Sequence, residues 1–458
     1  MLEKLAKQTA VYGISTIVVR FLSYLLTPYY TRVFGQETYG VVTDIYALIP
    51  LALTLLTMGM ESSYFRFSAK AEEAGGDVKA AKRRLFATTW GVTSLAAAVF
   101  FLATAFFRDG IARMMGEAYV AHPEYVVWVG LIILFDVWAC IPFSRLREQG
   151  RAMTFVGLKA MNVVLNVALA FGFGAAGLFA TDFGVGWVFV ANLIASVVTW
   201  LAILGTADRT VPKINWALLA AIFAYSLPLL VGGLAGTANE FIDRQLIKYL
   251  VPEGAMAQLG IYGAITKIAV VMMLFYQMYR LAAEPFFLSN FRKSDFVAMN
   301  AAALKYYVMA SMLIFLGIAL FRDVFALIVG RSFREGIFIL PVVLGANVLT
   351  GVWLNPLVLV QARGAHVAGH RRHGCGTGRH RRFRVLAHPA VGLLRGRVGA
   401  PGERNGDGRR QLVAQPPLLP DALRLAAHRR IRRRGARGFR RLRGFDRLCG
   451  QYVCKLCV

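Results

Sequence analysis

Arg20 lies near the midpoint of an apolar segment long enough to cross a bilayer, and this placement constrains the chain more than any other feature. A charge at that depth costs about 2.5–3.5 kcal/mol on insertion scales, so it persists only where the helix turns it toward protein or water. The neighbouring residues show which face is turned. Thr9, Gly13, Thr16, Arg20, Ser23, Thr27 and Thr31 recur three or four apart and form one stripe. Val18, Val19, Phe21, Leu22, Leu25 and Leu26 cover the rest of the surface. One side of this helix faces lipid and the other a polar cavity, the pattern of a transport pathway. A tight polar loop leads to a second apolar segment that carries two more costly groups, Asp44 and Glu61.

With 57% hydrophobic residues the whole chain is too apolar for an ordinary soluble protein. A bilayer core about 30 Å thick needs roughly 20 apolar residues per helix. That ruler predicts about ten spans, near 10–33, 39–61, 85–107, 124–144, 153–175, 184–205, 216–238, 258–282, 301–321 and 337–360. The expected fold is an all-α polytopic membrane protein. The segment MLEKLAKQ runs straight into the first span, which reads as an uncleaved helix rather than a signal core.

Cations set the orientation. The N-terminus carries Lys4 and Lys7; the second loop holds Arg66, Lys70, Lys79, Lys82, Arg83 and Arg84, and the fourth Arg145, Arg147 and Arg151. The third loop offsets Arg108 and Arg113 with Asp109 and Glu117, and the fifth, AGLFATDF, has no cation. Basic loops alternate with neutral ones, so the N-terminus is expected in the cytoplasm.

The formal net charge of +27 suggests nucleic acid until it is located. Residues 361–458 hold 23 Arg and one Lys against Glu403, Asp407, Asp421 and Asp446. Of the chain's 52 basic and 25 acidic residues, 28 and 21 remain for the first 360 positions, a balance ordinary for a membrane protein. After LTGVWLNPLVLV the composition turns abruptly to Arg, Gly, Ala, His and Pro, as in RRIRRRGARGFRRLRG. This is what a GC-rich gene yields in the wrong reading frame. Cys449, Cys454 and Cys457 mimic part of an iron–sulfur spacing, and the Arg runs mimic a nucleic-acid arm. No aromatic platform or periodic helix accompanies either, so both read as chance, and no nucleic-acid partner is expected.

A faint internal repeat relates TPYYTRVFGQETYGVVTDIYALI to IDRQLIKYLVPEGAMAQLGIYGAITKIAVV. Both run from a polar helix end through a short loop to a Gly- and Tyr-bearing helix start, which implies a period of six helices. The expected organisation is a six-helix bundle over 1–209, a truncated four-helix bundle over 210–360, and the Arg/Gly-rich stretch 361–458, out of frame and disordered.

The ionisable groups within or edging the spans are the site candidates: Arg20, Asp44, Glu61, Asp136, Lys159, Glu240, Lys267 and Arg280. Arg20 suits a pyrophosphate or acidic sugar through its fork of donors; the competing role is a salt bridge to Asp44 or Glu61. Arg20, Asp44, Glu61 and Lys267 are assigned to a substrate cavity. Asp136, Lys159 and Glu240 are assigned to coupling or pairing, Asp136 either holding a proton or sodium ion or pairing with Lys159. The first 360 residues contain no His- or Cys-rich metal constellation and no phosphate-cradling Gly loop, so neither metal nor cofactor is expected.

The opening resembles a known family. Tyr12-Gly13, the mid-helix Arg20, Pro28-x-Tyr30-Thr31-Arg32, Tyr39-Gly40 and Gly59-Met60-Glu61 ahead of Phe65-Arg66-Phe67 are similar to the start of Wzx-type polysaccharide and O-antigen flippases. These belong to the multidrug/oligosaccharidyl-lipid/polysaccharide (MOP) exporter superfamily. The resemblance is specific over about residues 5–70, diffuse to 360 and absent beyond. It implies two helical bundles around a central cavity. It also implies export of undecaprenyl-pyrophosphate-linked oligosaccharide across the cytoplasmic (inner) membrane for lipopolysaccharide or other surface polysaccharide, with polysaccharide polymerase or export proteins as partners, and no enzymatic activity. A cation-coupled multidrug exporter of the same superfamily is the nearer alternative, and a membrane-embedded glycan-processing enzyme the more distant one. Sequencing the gene across the codons for 350–365 should reveal the frame change; a protease-resistant fragment from 361–458 would overturn it.

Overall fold

The computed structural model describes residues 24–206, 214–290 and 296–353, and the regular structure among them is helical. The principal helices are α1 (Leu26–Val33), α2 (Gln36–Thr57), α3 (Met60–Ala74), α4 (Val78–Phe106), α5 (Glu124–Glu148) and α6 (Ala152–Ala175). They continue with α7 (Gly186–Thr206), α8 (Trp216–Leu250), α9 (Ala255–Ile268), α10 (Val270–Asn290), α11 (Phe296–Leu320) and α12 (Arg331–Trp353). Short helices Arg108–Met115 and Arg322–Ala326 follow α4 and α11. Eight of the described helices are long and apolar enough to cross a membrane, or up to nine if the bent pair α9–α10 is one span. Most of the first expected span, with Arg20, lies outside the described residues, as does 361–458. The other nine expected spans each coincide with helix.

Local chemistry explains the boundaries. Asp77 caps α4 by accepting from the Ala80 amide at 2.9 Å, and Asn215 caps α8 by accepting from Leu218 at 3.1 Å. Pro142 lies inside α5 and cannot donate to the Trp138 carbonyl one turn back. That carbonyl accepts instead from the Trp90 indole of α4 at 3.0 Å, while the Trp138 indole donates to Ser94 at 3.2 Å. Two tryptophans thus tie α4 to α5 and keep a freed carbonyl satisfied within the membrane. Leu95, Val99, Leu102 and Phe106 on α4, and Tyr306, Met309, Leu313 and Leu320 on α11, are all more than half exposed. At helical spacing these are the lipid-facing stripes.

Two expected spans are not straight. Consecutive left-handed residues, Met58 (φ 49°) and Gly59 (φ 68°), separate α2 from α3 within the expected 39–61 span. Glu61 therefore falls in the first turn of a new helix. The 258–282 span bends by 49° where α9 meets α10, immediately after Lys267.

The crossing of α2 with α9 ties the N-terminal to the C-terminal described helices. A Cβ on Gly40 would lie 2.1 Å from the Met256 carbonyl oxygen, and one on Gly260 would lie 2.1 Å from that of Gln36. Each glycine thus meets the carbonyl one turn before the other, a reciprocal contact with local two-fold character. Gly263 adds a third close approach, to Thr43. The stretches that cross are those joined by the faint repeat, which is the physical counterpart of that repeat.

A second, sharper repeat supports the six-helix period. Ala105-x-Phe107-Arg108-Asp109-x-x-Ala112-x-x-x-Gly116 recurs as Ala319-x-Phe321-Arg322-Asp323-x-x-Ala326-x-x-x-Gly330. Phe107 and Phe321 share a backbone conformation (φ −96° in both), and Ala112 and Ala326 are both buried. Three residues after each glycine comes a fully buried ring, Tyr119 or Phe333, whose amide donates to that glycine's carbonyl. We expect Gly260→Ala to cost about 2 kcal/mol or more through backbone overpacking. Gly236→Ala, with open space around it, should be neutral or better; thermal melting of the two purified variants makes the comparison.

Candidate functional site

A cavity of about 620 Å³ opens among α2, α3, α5, α6 and α7. Helix α5 contributes Asp136, Cys140 and Arg147, spaced four and seven residues apart and so on one face. From α6 come Lys159 and Asn162, from α7 Ser196 and Thr199, and from α2 Thr54 and Thr57. Asp136 and Ser196 occupy the middles of their helices, whereas Arg147 ends α5 and Thr57 ends α2. The cavity therefore runs from mid-membrane to the face bearing the basic second and fourth loops.

Glu61, in the first turn of α3, lines this cavity. Its carboxylate accepts from the Cys140 thiol at 2.7 Å and from Arg147 at 3.2 Å. Arg147 also lies 5.0 Å from the Phe65 ring centroid and 5.7 Å from that of Phe155. Asp136 accepts from Ser196 at 2.8 Å, and Asn162 donates to Thr199 at 3.0 Å. The Lys159 ammonium stands 4.2 Å above the Phe143 ring. Among the described residues it forms no ion pair, and its charge reaches Asp136 only at longer range. Lys159 therefore lines a membrane-embedded cavity with its side chain oriented by an aromatic ring.

Three sequence candidates, Glu61, Asp136 and Lys159, thus share one cavity. Asp44 is not in it. The Asp44 carboxylate is fully buried and ion-paired with Lys248 of α8, and it accepts from Gln245 at 2.8 Å and from Tyr119 at 2.7 Å. Burial, and then the adjacent Asp44 carboxylate, push the Tyr119 phenol far above its usual range, so Tyr119 stays a donor. Among the described residues, Asp44 is met by three donors, from the third loop and α8; Arg20, its other expected partner, lies outside the described residues. Glu61 likewise has Arg147 as its partner. Lys267 lies outside the cavity, 4.8 Å from the Tyr24 ring centroid at the end of α9. Arg20 and the Glu240 side chain lie outside the described residues.

The sequence reading placed Arg147 in a loop and passed over Asn162, Ser196 and Thr199. The signal was present. Lys159, Asn162 and Asn166 on α6, and Asn192, Ser196 and Thr199 on α7, repeat at helical spacing as Thr16, Arg20 and Ser23 do in the first span.

A family model described as "Polysaccharide biosynthesis protein" matches residues 5–291. The chain belongs to that family. Helices α1 to α10, with the whole cavity, fall within the match. Among solved structures the fold is similar to an inward-facing multidrug resistance MATE family transporter of the MOP superfamily. That likeness has a TM-score of 0.59 at 16% identity and covers 76% of this chain and 83% of that one. The MATE multidrug transporter DinF-BH is similar too, with a TM-score of 0.55, 16% identity and coverage of 80% and 84%. An outward-facing MATE family transporter of the MOP superfamily gives 0.52 at 15% identity, covering 81% and 89%. Identities this low speak for the fold alone, and the fold is similar to that of these MATE family transporters. Curated protein sequences give no significant match.

On a background with Cys375, Cys449, Cys454 and Cys457 replaced by serine, Cys140 should react with a small impermeant thiol reagent applied to the face of the second and fourth loops. Reaction from the opposite face alone would contradict the cavity's direction.

Proposed function

We propose that this polysaccharide-biosynthesis family member is a Wzx-type flippase. It carries a lipid-linked oligosaccharide across the inner membrane by alternating access, as a transporter rather than an enzyme. The observation that carries the reading is the pair of cations, Lys159 held over Phe143 and Arg147 between Phe65 and Phe155, in a polar cavity within the membrane. An isolated phosphate or sugar in hydrocarbon faces a prohibitive desolvation cost. A cavity with fixed cations replaces the lost water, while the prenyl chain remains in lipid. Arg147 offers a planar fork to phosphate oxygens and Lys159 a point charge.

The remaining parts of the reading follow from the sequence. The N-terminus is cytoplasmic, and the halves 1–209 and 210–360 rock against one another. Arg20 and Lys267 extend the cationic path, Glu240 pairs within it, and a polysaccharide polymerase receives the product. The out-of-frame stretch 361–458 stands in place of the last helices. A multidrug exporter of the same superfamily is the second reading, favoured by the carboxylates Glu61 and Asp136 in the same cavity.

The variants separate the two. Lys159→Ala and Arg147→Ala, with expression near normal, should each lower surface polysaccharide at least about tenfold, the worth of one buried charged hydrogen bond. Asp136→Asn should lower drug resistance and leave polysaccharide unchanged if the second reading is right. For orientation, cysteine at Thr181 should be labelled by an impermeant reagent on intact cells and cysteine at Gly76 should not; the reverse pattern would place the N-terminus outside.

A further inference from the structure

The Asp44 node carries an inference about how the protein changes state, and it rests on the alternating-access reading above. Asp44 lies two turns into α2, Lys248 and Gln245 lie in the last turns of α8, and Tyr119 lies in the third loop. All four therefore sit toward the membrane face of the first, third, seventh and ninth loops, opposite the mouth of the Lys159 cavity. Other contacts between the N-terminal and C-terminal described helices gather on the same face. Arg32 donates to the Leu327 carbonyl at 2.8 Å, Gly330 donates to Thr31 at 3.0 Å, and Gln36 donates to Glu335 at 2.6 Å. Tyr119 and Phe333, the equivalent rings of the sharper repeat, both lie against the α2–α9 crossing. Lys248 is 4.9 Å from the Tyr119 ring centroid, and Phe333 packs edge-on against Tyr39 at 5.5 Å.

We propose that the Asp44–Lys248 pair, with Tyr119 and Gln245, is the latch that holds this face closed while the cavity is open to the other. Gly40 faces Gly260 across the crossing, and one turn beyond Gly260 lies Ala264, which is fully buried at this interface. In the sequence the repeat sets Tyr39-Gly40-x-x-Thr43-Asp44 against Tyr262-Gly263-x-x-Thr266-Lys267, so each repeat carries a charge at this register, and only that of Asp44 is paired with Lys248.

An ion pair suits this role for a physical reason. When the face is closed, both charges lose water and regain each other, so the net stabilisation is small. When it opens, each is hydrated separately. Neither state is strongly favoured, as reversible opening requires. Removing one charge breaks the balance: the remaining charge is stranded in the closed state and relieved by opening. Removing both leaves a neutral interface that closes without stranding anything.

The test needs no substrate, so it can fail independently of the polysaccharide reading. Full-length protein in nanodiscs, with its five native cysteines replaced by serine, carries Ala264→Cys as a buried reporter of this interface. Asp44→Asn and Lys248→Met should each speed modification of the reporter about tenfold or more. The double variant Asp44→Asn/Lys248→Met should return to the native rate or below it. Singles that fold and leave the reporter protected would overturn the latch, as would a double variant as reactive as the singles. Should neither single fold, Tyr119→Phe decides, since it keeps both charges and removes one bond to Asp44. A rise of about two- to fivefold in its reporter rate supports the latch, and an unchanged rate refutes it.

Discussion

Backbone contact between α2 and α9 is the constraint on which the rest of the described structure depends. With no Cβ at Gly40 or Gly260, each helix lies against a main-chain carbonyl of the other. In lipid, where apolar side chains gain little by leaving their solvent, close backbone approach is a main source of helix association. The contact fixes the N-terminal helices relative to α8, α9 and α12, and it places Asp44 of α2 next to the end of α8. It is also reciprocal, each glycine meeting the carbonyl one turn before the other.

Around that contact the chain treats its membrane charges in two ways. Asp44 is saturated: one cation and two neutral donors converge on a carboxylate with no exposure, which is how a buried charge becomes tolerable. Lys159 is oriented but not neutralised, above Phe143 in a cavity that also holds Glu61 paired to Arg147 and Asp136 bonded to Ser196. This contrast assigns the cavity, and not the Asp44 node, to the proposed substrate. Met58, the one non-glycine residue with positive φ among the described residues, holds a conformation that costs about 1–3 kcal/mol.

The fold was largely legible because hydrocarbon thickness imposes one length on every span and every backbone polar group must be satisfied internally. Nine expected spans coincide with helices for that reason alone. The faint Gly- and Tyr-bearing repeat pointed to stretches that do meet, at Gly40 and Gly260. The sharper Phe-Arg-Asp repeat was overlooked, although Phe107-Arg108-Asp109 and Phe321-Arg322-Asp323 are identical. The cavity was half legible. Asp136 and Lys159 stood out because charge is costly at mid-membrane, whereas Ser196, Thr199 and Asn162 cost less and drew no attention.

The sequence by itself determined the class of protein, the spans and the short list of charges that require a partner or a ligand. All of these follow from local quantities: apolar length, helical spacing and the cost of a charge at a given depth. Only the tertiary structure decided which charge answers which. Asp44 takes Lys248, some two hundred positions away, and Glu61 takes Arg147, 86 positions away. Partner choice of this kind depends on the crossing of distant helices, which is not written in the spacing of residues along a single helix.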